Sequence, residues 1–258
     1  MNKNFINKRK KNILNINLRI IIISTFAFFF ITLFYLNYYK IINFSVSFIE
    51  KYSNQYNYTL LNIEVSDLNN LDEKEILQYF DPYFKKSVFL IPLKKISTEI
   101  NLNNWVKNIK IENNFKDTIT INIEEEIPFG IYDNNNQKVL FSDNLIVLEI
   151  INKNNKYEDL IIFYGKNSIN HSKELLGSIK NHLKDLIISA TFIENRRWNI
   201  ELNNAIVLKL PHENITQALN NYKKIYQNFS NNELNDIESI DLRIINKAII
   251  KYRNNYND

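Results

Sequence analysis

The sequence predicts an α+β protein in three parts: a single N-terminal transmembrane helix, a β-α-α-β-β module, and a strand-rich β-domain with two helices. Three observations carry this reading: an apolar run over residues 20–39, a strand-helix-helix-strand-strand pattern over 58–132, and a series of alternating segments from there to Tyr252. The expected boundaries are a basic arm at 1–19, the span at 20–39, a juxtamembrane linker at 40–57, the module at 58–132, the β-domain at 133–253 and a polar tail at 254–258.

A helix over residues 20–39 is about 30 Å long, the thickness of a bilayer's hydrocarbon core. Its only polar members are Ser24, Thr25, Thr32, Asn37 and the tyrosines. Lys3, Lys8, Arg9, Lys10, Lys11 and Arg19 lie at or before its start, and no acidic residue occurs before Glu50. The positive-inside rule therefore holds the N-terminus in the cytoplasm and exports everything after Lys40, with Tyr35, Tyr38 and Tyr39 at the outer interface. Ser45-Val46-Ser47 has the small-x-small spacing of a signal-peptide cleavage site. A signal peptide's apolar region, however, runs only about 7–15 residues, so this longer run of Phe and Ile fits an uncleaved anchor better. Residues 41–57 read equally as an extension of the helix or as a linker.

In the module, residues 60–65 form the first strand, apolar at Leu61, Ile63 and Val65. A helix over 72–80 carries acids in its first turn, where they favour the helix dipole, and turns Ile76, Leu77 and Phe80 to one side before Pro82 stops it. A second helix starts at Leu93 and presents Leu93, Ile96 and Ile100 at spacings of three and four. Trp105 and Val106 open a strand to Ile111, which turns at Asn113-Asn114 and returns over 118–124, where Ile119, Ile121 and Ile123 alternate with Thr120 and Asn122.

After Pro128 the expected strands are 139–141, 145–150, 160–164, 187–193, 198–202, 206–210, 237–242 and 248–252, with helices at 172–185 and 216–229. Only three glycines serve the chain, so Asn is expected to take most left-handed turn positions.

Composition excludes several functions. The chain carries +4 overall and the arm six positive charges, leaving the exported part at about −2, with no footprint for nucleic acid. With no cysteine there is no disulfide, thiol nucleophile or thiolate metal site. His171, His182 and His212 are the only histidines, and none pairs at the i, i+4 spacing of a helical metal site, so they read as solvated surface residues. Glu124, Glu125 and Glu126 could supply an acid and a base, but they continue an alternating strand toward Pro128 and read as its solvated end. Gly130, Gly165 and Gly177 are isolated, forming no phosphate loop, and no serine sits in a nucleophile elbow. No cofactor, metal, small-molecule substrate or catalytic residue is indicated.

Six stretches carry a resemblance. Trp105-Val106 resembles a "PWV" strand opening, Phe115-Lys116-Asp117-Thr118-Ile119 a "WPDTL" hairpin, and Glu125-Glu126-Ile127-Pro128-Phe129-Gly130 an "E-x-x-P-x-A" strand exit. Arg196-Arg197-Trp198-Asn199-Ile200-Glu201-Leu202 with Lys209-Leu210-Pro211 resembles "RRW-x-L-x-L" and "KLP", and Ile240-Asp241-Leu242-Arg243 matches "IDLR". In this order they resemble the bacterial cell-division family FtsQ/DivIB across almost the whole chain. Asn104 stands where the family often has Pro, which removes only a rigid turn, and Ser66-Asp67 where the module's first turn usually has Gly.

The resemblance implies a POTRA module near the membrane and a β-domain beyond it, without enzymatic activity, in a single-pass protein of the bacterial inner membrane at the division septum. It implies a scaffold that binds FtsB and FtsL outside that membrane, influences the septal peptidoglycan synthase pair FtsW and FtsI, and is recruited through FtsK. Contact residues are then expected at Ile244, Lys247, Ala248, Ile249, Ile250, Lys251 and Tyr252, where a last strand could accept a partner segment as an added strand. Alternation makes about half of these structural. Two other readings stay open: a POTRA-bearing envelope assembly factor or chaperone that handles extended chains, and a membrane-anchored envelope enzyme.

Overall fold

A computed structural model describes residues 3–151, 155–244 and 246–253, so the 254–258 tail lies outside the described residues. Two compact units result, residues 1–66, 73–96 and 111–121, and residues 67–72, 97–110 and 122–258.

The first unit begins with α1 (Lys3–Gln55), a helix of 53 residues and thus about 80 Å long. Among the described residues, 18–55 form the one helix long and apolar enough to cross a membrane. The stretch expected as a linker is helical as far as Gln55. No Pro or Gly interrupts it, and Ser45 and Ser47 satisfy their hydroxyls on the carbonyls of Ile41 and Asn43 at 2.9 and 2.8 Å. Asn57, at φ 61°, turns the chain out of the helix. The helix end is fastened to the module: buried Ser53 Oγ lies 2.7 Å from buried Ser87 Oγ, and Glu50 Oε2 accepts the Ser87 N–H at 3.1 Å.

The module holds β1 (Asn62–Val65), α2 (Glu73–Gln78), α3 (Leu93–Ile100), β2 (Val106–Asn113) and β3 (Thr118–Glu125), the strands ordered β1-β3-β2. β1 runs parallel to β3, from Asn62 opposite Thr118 to Val65 opposite Ile121. The expected alternation holds in β3, where Ile119, Ile121 and Ile123 are buried. At the first strand the inward phase differs. Leu60 is buried ahead of β1 because its N–H and C=O bond Lys86 and Lys85, while Leu61 stays exposed.

The second unit is built on a nine-stranded sheet. Its strands are β4 (Pro128–Asp133), β5 (Lys138–Ser142), β6 (Val147–Ile150), β7 (Ile162–Tyr164), β8 (Ile187–Ile193), β9 (Arg197–Leu202), β10 (Val207–Lys209), β11 (Ile237–Asp241) and β12 (Ile249–Tyr252). They are ordered β12-β11-β10-β9-β8-β7-β4-β5-β6. The pairs β4–β7, β7–β8 and β10–β11 are parallel.

Strand β4 was not expected, and the two expected helices become four: α4 (Ser168–Ser178), α5 (Asn181–Lys184), α6 (Ile215–Tyr226) and α7 (Asn231–Asp236). The first expected helix starts early and breaks at Lys180, which is extended, and α7 is nucleated by a capping box between Ser230 and Glu233. One core joins Leu175 of α4 and Leu219 of α6 to Ala190, Ile200, Leu208 and Ile240 of the sheet, and a smaller cluster joins Trp105 to Ile131, Leu140, Leu148 and Tyr157.

Asn supplies six of the eleven non-Gly residues at positive φ among the described residues. Gly165, at φ +93°, has no substitute, since a Cβ there would stand 2.3 Å from the Phe192 carbonyl oxygen.

Candidate partner-binding edge

β12 is the terminal strand of the large sheet, paired antiparallel to β11 with Asp241 opposite Ile249, Ile240 opposite Ile250 and Ser239 opposite Lys251. Two backbone bonds fix which groups point outward. Leu242 donates its N–H to the Lys209 carbonyl at 2.9 Å, toward β10, so alternation turns Asp241 and Ser239 to β12. Arg253 donates its N–H to the Asp236 carbonyl at 2.7 Å, toward β11. Both place the N–H and C=O of Ile249 and Lys251 inward and those of Ile250 and Tyr252 on the outer edge, where the sheet has no further strand among the described residues.

The side chains divide the other way. Ile250 and Ala248 are half-buried against the main core, whereas Ile249 is 57% exposed and Tyr252 51% exposed. Lys251 Nζ pairs with Glu238 Oε1 at 2.6 Å, so it braces β11 as well as standing at the edge. Exposed Lys247 donates its N–H to the Ile244 carbonyl at 3.1 Å, closing a turn with Asn246 at φ 61°. Ile244 is exposed and lines a small cleft with Pro211, Ala218 and Leu242. The edge therefore offers two outward main-chain donor-acceptor pairs flanked by apolar side chains, an arrangement suited to strand addition.

Arg253 was not among the expected site residues. Its Nε donates to the Ile237 carbonyl at 3.1 Å and its Nη2 to the Ala205 carbonyl at 3.0 Å, clamping the strand's end to the sheet. A lone cation at a domain end gives no sequence signal for that role, because its acceptors lie on a distant strand, at Ile237 of β11, and a distant turn, at Ala205.

At the other end, the Asp241 carboxylate accepts Arg243 Nε at 2.8 Å and the Arg243 N–H at 3.0 Å, and the Arg243 Nη2 as well. The Arg243 side chain's hydrogen bonds, above all, hold the Asp241 carboxyl below the usual carboxylate range. With the folded pKa below the unfolded one, the contribution is complete above about pH 4 and is lost as pH falls through the folded value. Exchange of the Arg243 amide, normalised to an Asp241→Asn variant, is expected to be flat from pH 7 to 5 and to rise below pH 4. An identical profile in both proteins would count against the pair.

Of the three glutamates expected at a solvated strand end, Glu124 stays exposed as expected, while Glu125 and Glu126 are drawn in. Glu126 is 2% exposed and receives both its hydrogen bonds from Asn144 Nδ2, at 3.0 Å to each oxygen. Glu125 accepts the N–H groups of Asn69, Asn70 and Leu71 at 3.0–3.2 Å. Desolvation pushes its carboxyl up, but those backbone bonds outweigh it and the net shift is downward. Glu124 pairs with Lys107. Their donors come from residues far along the chain, which is why local alternation missed them. Among the histidines, His171 stacks on Phe192 at 4.7 Å and His212 Nδ1 lies 2.6 Å from the Arg196 carbonyl oxygen, while the side chain of His182 lies outside the described residues. Among the described residues no three His, Cys, Asp or Glu side chains are placed to hold a metal ion.

A family model described as the POTRA domain, FtsQ-type, matches residues 59–126, and one described as the C-terminal part of the cell division protein FtsQ/DivIB matches residues 130–243. The β12 edge lies just beyond the second match. Similar relatives named cell division protein FtsQ occur in Rickettsia typhi, 26% identical over 198 residues covering 75% of this chain and 73% of the relative, and in Rickettsia bellii, 26% identical over 197 residues covering 75% and 72%. A further one, from Agrobacterium fabrum, is 22% identical over 192 residues covering 73% of this chain and 60% of the relative.

Proposed function

The chain belongs to the FtsQ/DivIB family of cell-division proteins, and from that membership we propose that it is a non-enzymatic scaffold held in the bacterial inner membrane at the division septum, its N-terminus cytoplasmic. Outside that membrane it binds FtsB- and FtsL-type partners by accepting one of their segments as an additional strand on β12. Through them it links early division proteins, FtsK among them, to septal peptidoglycan synthesis by FtsW and FtsI. The observation that supports the docking site is the free outer edge of β12, with the backbone groups of Ile250 and Tyr252 turned outward beside exposed Ile244 and Ile249. Main-chain pairing supplies affinity there, and the flanking side chains supply selectivity.

The test is affinity capture from solubilised membranes with the full-length chain beside a chain ending at Arg243, each checked for cooperative thermal unfolding. Retention of small single-span proteins by the full chain alone is the expected result. Equal retention by both folded chains would move the site off β12, and retention of unrelated unfolded polypeptides would favour an assembly factor instead.

A further inference from the structure

With the span at residues 20–39, as in the proposed membrane anchor, α1 continues from Lys40 to Gln55 for about 24 Å beyond the hydrocarbon core. Its surface there is nevertheless apolar along one stripe. From Phe34, the residues Tyr38, Ile41, Ser45, Phe48 and Tyr52 follow at steps of four, three, four, three and four, and all are exposed. The same steps carried back through the span meet Ile31, Ala27, Ser24 and Ile20. A strict seven-residue repeat of this length keeps a single seam facing a neighbouring helix, because the supercoil removes the drift of a straight helix.

The opposite face beyond the span is mostly polar, with Lys40, Asn43, Ser47, Glu50 and Asn54 beside a single Val46. The module does not block the seam, since it fastens to Glu50 on the opposite face and to Ser53 beside it, leaving Phe48 and Tyr52 exposed.

We infer that this seam, from the span out to Tyr52, is where α1 packs in parallel against α1 of a second copy of the chain. Every copy inserts in the same direction, so a pair must be parallel, and a parallel pair brings each layer against itself. Ser45 then forms a small layer between the Ile41 and Phe48 layers, as do Ser24 and Ala27 within the span, and small layers let membrane helices approach closely. The Ser45 and Ser24 hydroxyls are already bonded to the Ile41 and Ile21 carbonyls, each at 2.9 Å, so they bring no unpaired donor into the contact. Of the positions flanking the seam between Tyr35 and Tyr56, only Lys51 is charged, and in a parallel pair it meets Tyr56, a cation facing an aromatic ring rather than a like charge.

The chain has no cysteine, so single cysteines report the contact cleanly. Full-length Ser45→Cys and Tyr52→Cys proteins in their own membranes are oxidised beside Ser47→Cys and Asn54→Cys on the opposite face. Because a disulfide requires Cα atoms within about 7 Å, the seam positions are expected to give about fivefold or more linked dimer than the opposite ones. Equal linkage on both faces, none at any position, or seam adducts to a different protein would each overturn the second-copy assignment.

Discussion

Replacing Ile250 with proline is expected to weaken partner capture by about 10- to 100-fold while the sheet stays folded. The variant loses an outward N–H that the partner strand would use, and an interface acceptor left unpaired costs about 1–3 kcal/mol, or one to two decades in Kd. Proline is tolerated on an edge strand when its missing N–H faces solvent. The half-buried Ile250 side chain loses some packing, about 1–2 kcal/mol. Ile249→Pro inverts the outcome. Its side chain is exposed, so side-chain burial alone predicts a mild effect, yet its N–H points inward to Asp241 and its loss breaks the pairing that holds β12 in place. Thermal unfolding and capture measured on both variants decide the matter. Full partner capture by folded Ile250→Pro would remove β12 as the docking strand, and an unfolded Ile250→Pro would show that the outer edge is not its only backbone commitment.

The contrast between these neighbours shows where sequence reading stops. Alternation placed a strand at 248–252, but two adjacent isoleucines leave its phase open, and only the register against β11 decides that Ile250 packs inward. Strand β4 is hidden in the sequence because it begins Pro128-Phe129-Gly130, two breaker residues in three, within a stretch that resembles a strand exit. Proline is allowed at a strand's first residue, and Gly130 is required by its neighbour, since a Cβ there would lie 2.6 Å from the Phe163 ring. The family pattern has Ala at that place, so the large Phe163 ring occupies the room a methyl would take. The continuous helix through Gln55 follows from the absence of any breaker, and it decides between the helix extension and the linker that the sequence leaves open over 41–57. The edge was legible because strand propensity is local, and its clamp was not, because Arg253 reaches carbonyls at Ile237 and Ala205.

Trp105 carries the largest expected effect on stability. It lies at the opening of β2, yet its indole is buried with Ile131 of β4, Leu140 of β5, Leu148 of β6 and Tyr157. Its carbonyl accepts the Glu126 N–H at 2.9 Å, its own N–H donates to Asn103 Oδ1 at 3.0 Å, and the neighbouring Asn104 Nδ2 reaches the Val147 carbonyl of β6 at 2.9 Å. The tryptophan thus ties the strand opening to one end of the large sheet. Truncation removes a large aromatic from a small cluster that cannot collapse around the gap, so Trp105→Ala is expected to cost about 3–5 kcal/mol. For a unit of this size that lowers Tm by about 10 °C, measurable by near-ultraviolet circular dichroism of the full chain in detergent. The cluster shares no buried residue with the core beneath β12, so partner capture well below the new Tm is expected to persist. Ile250→Pro and Trp105→Ala then separate cleanly, one losing binding with a modest loss of stability and the other losing stability with binding kept. Loss of capture by folded Trp105→Ala would instead couple the two ends of the sheet, and a Tm shifted by less than a few degrees would show that the indole is dispensable to the cluster.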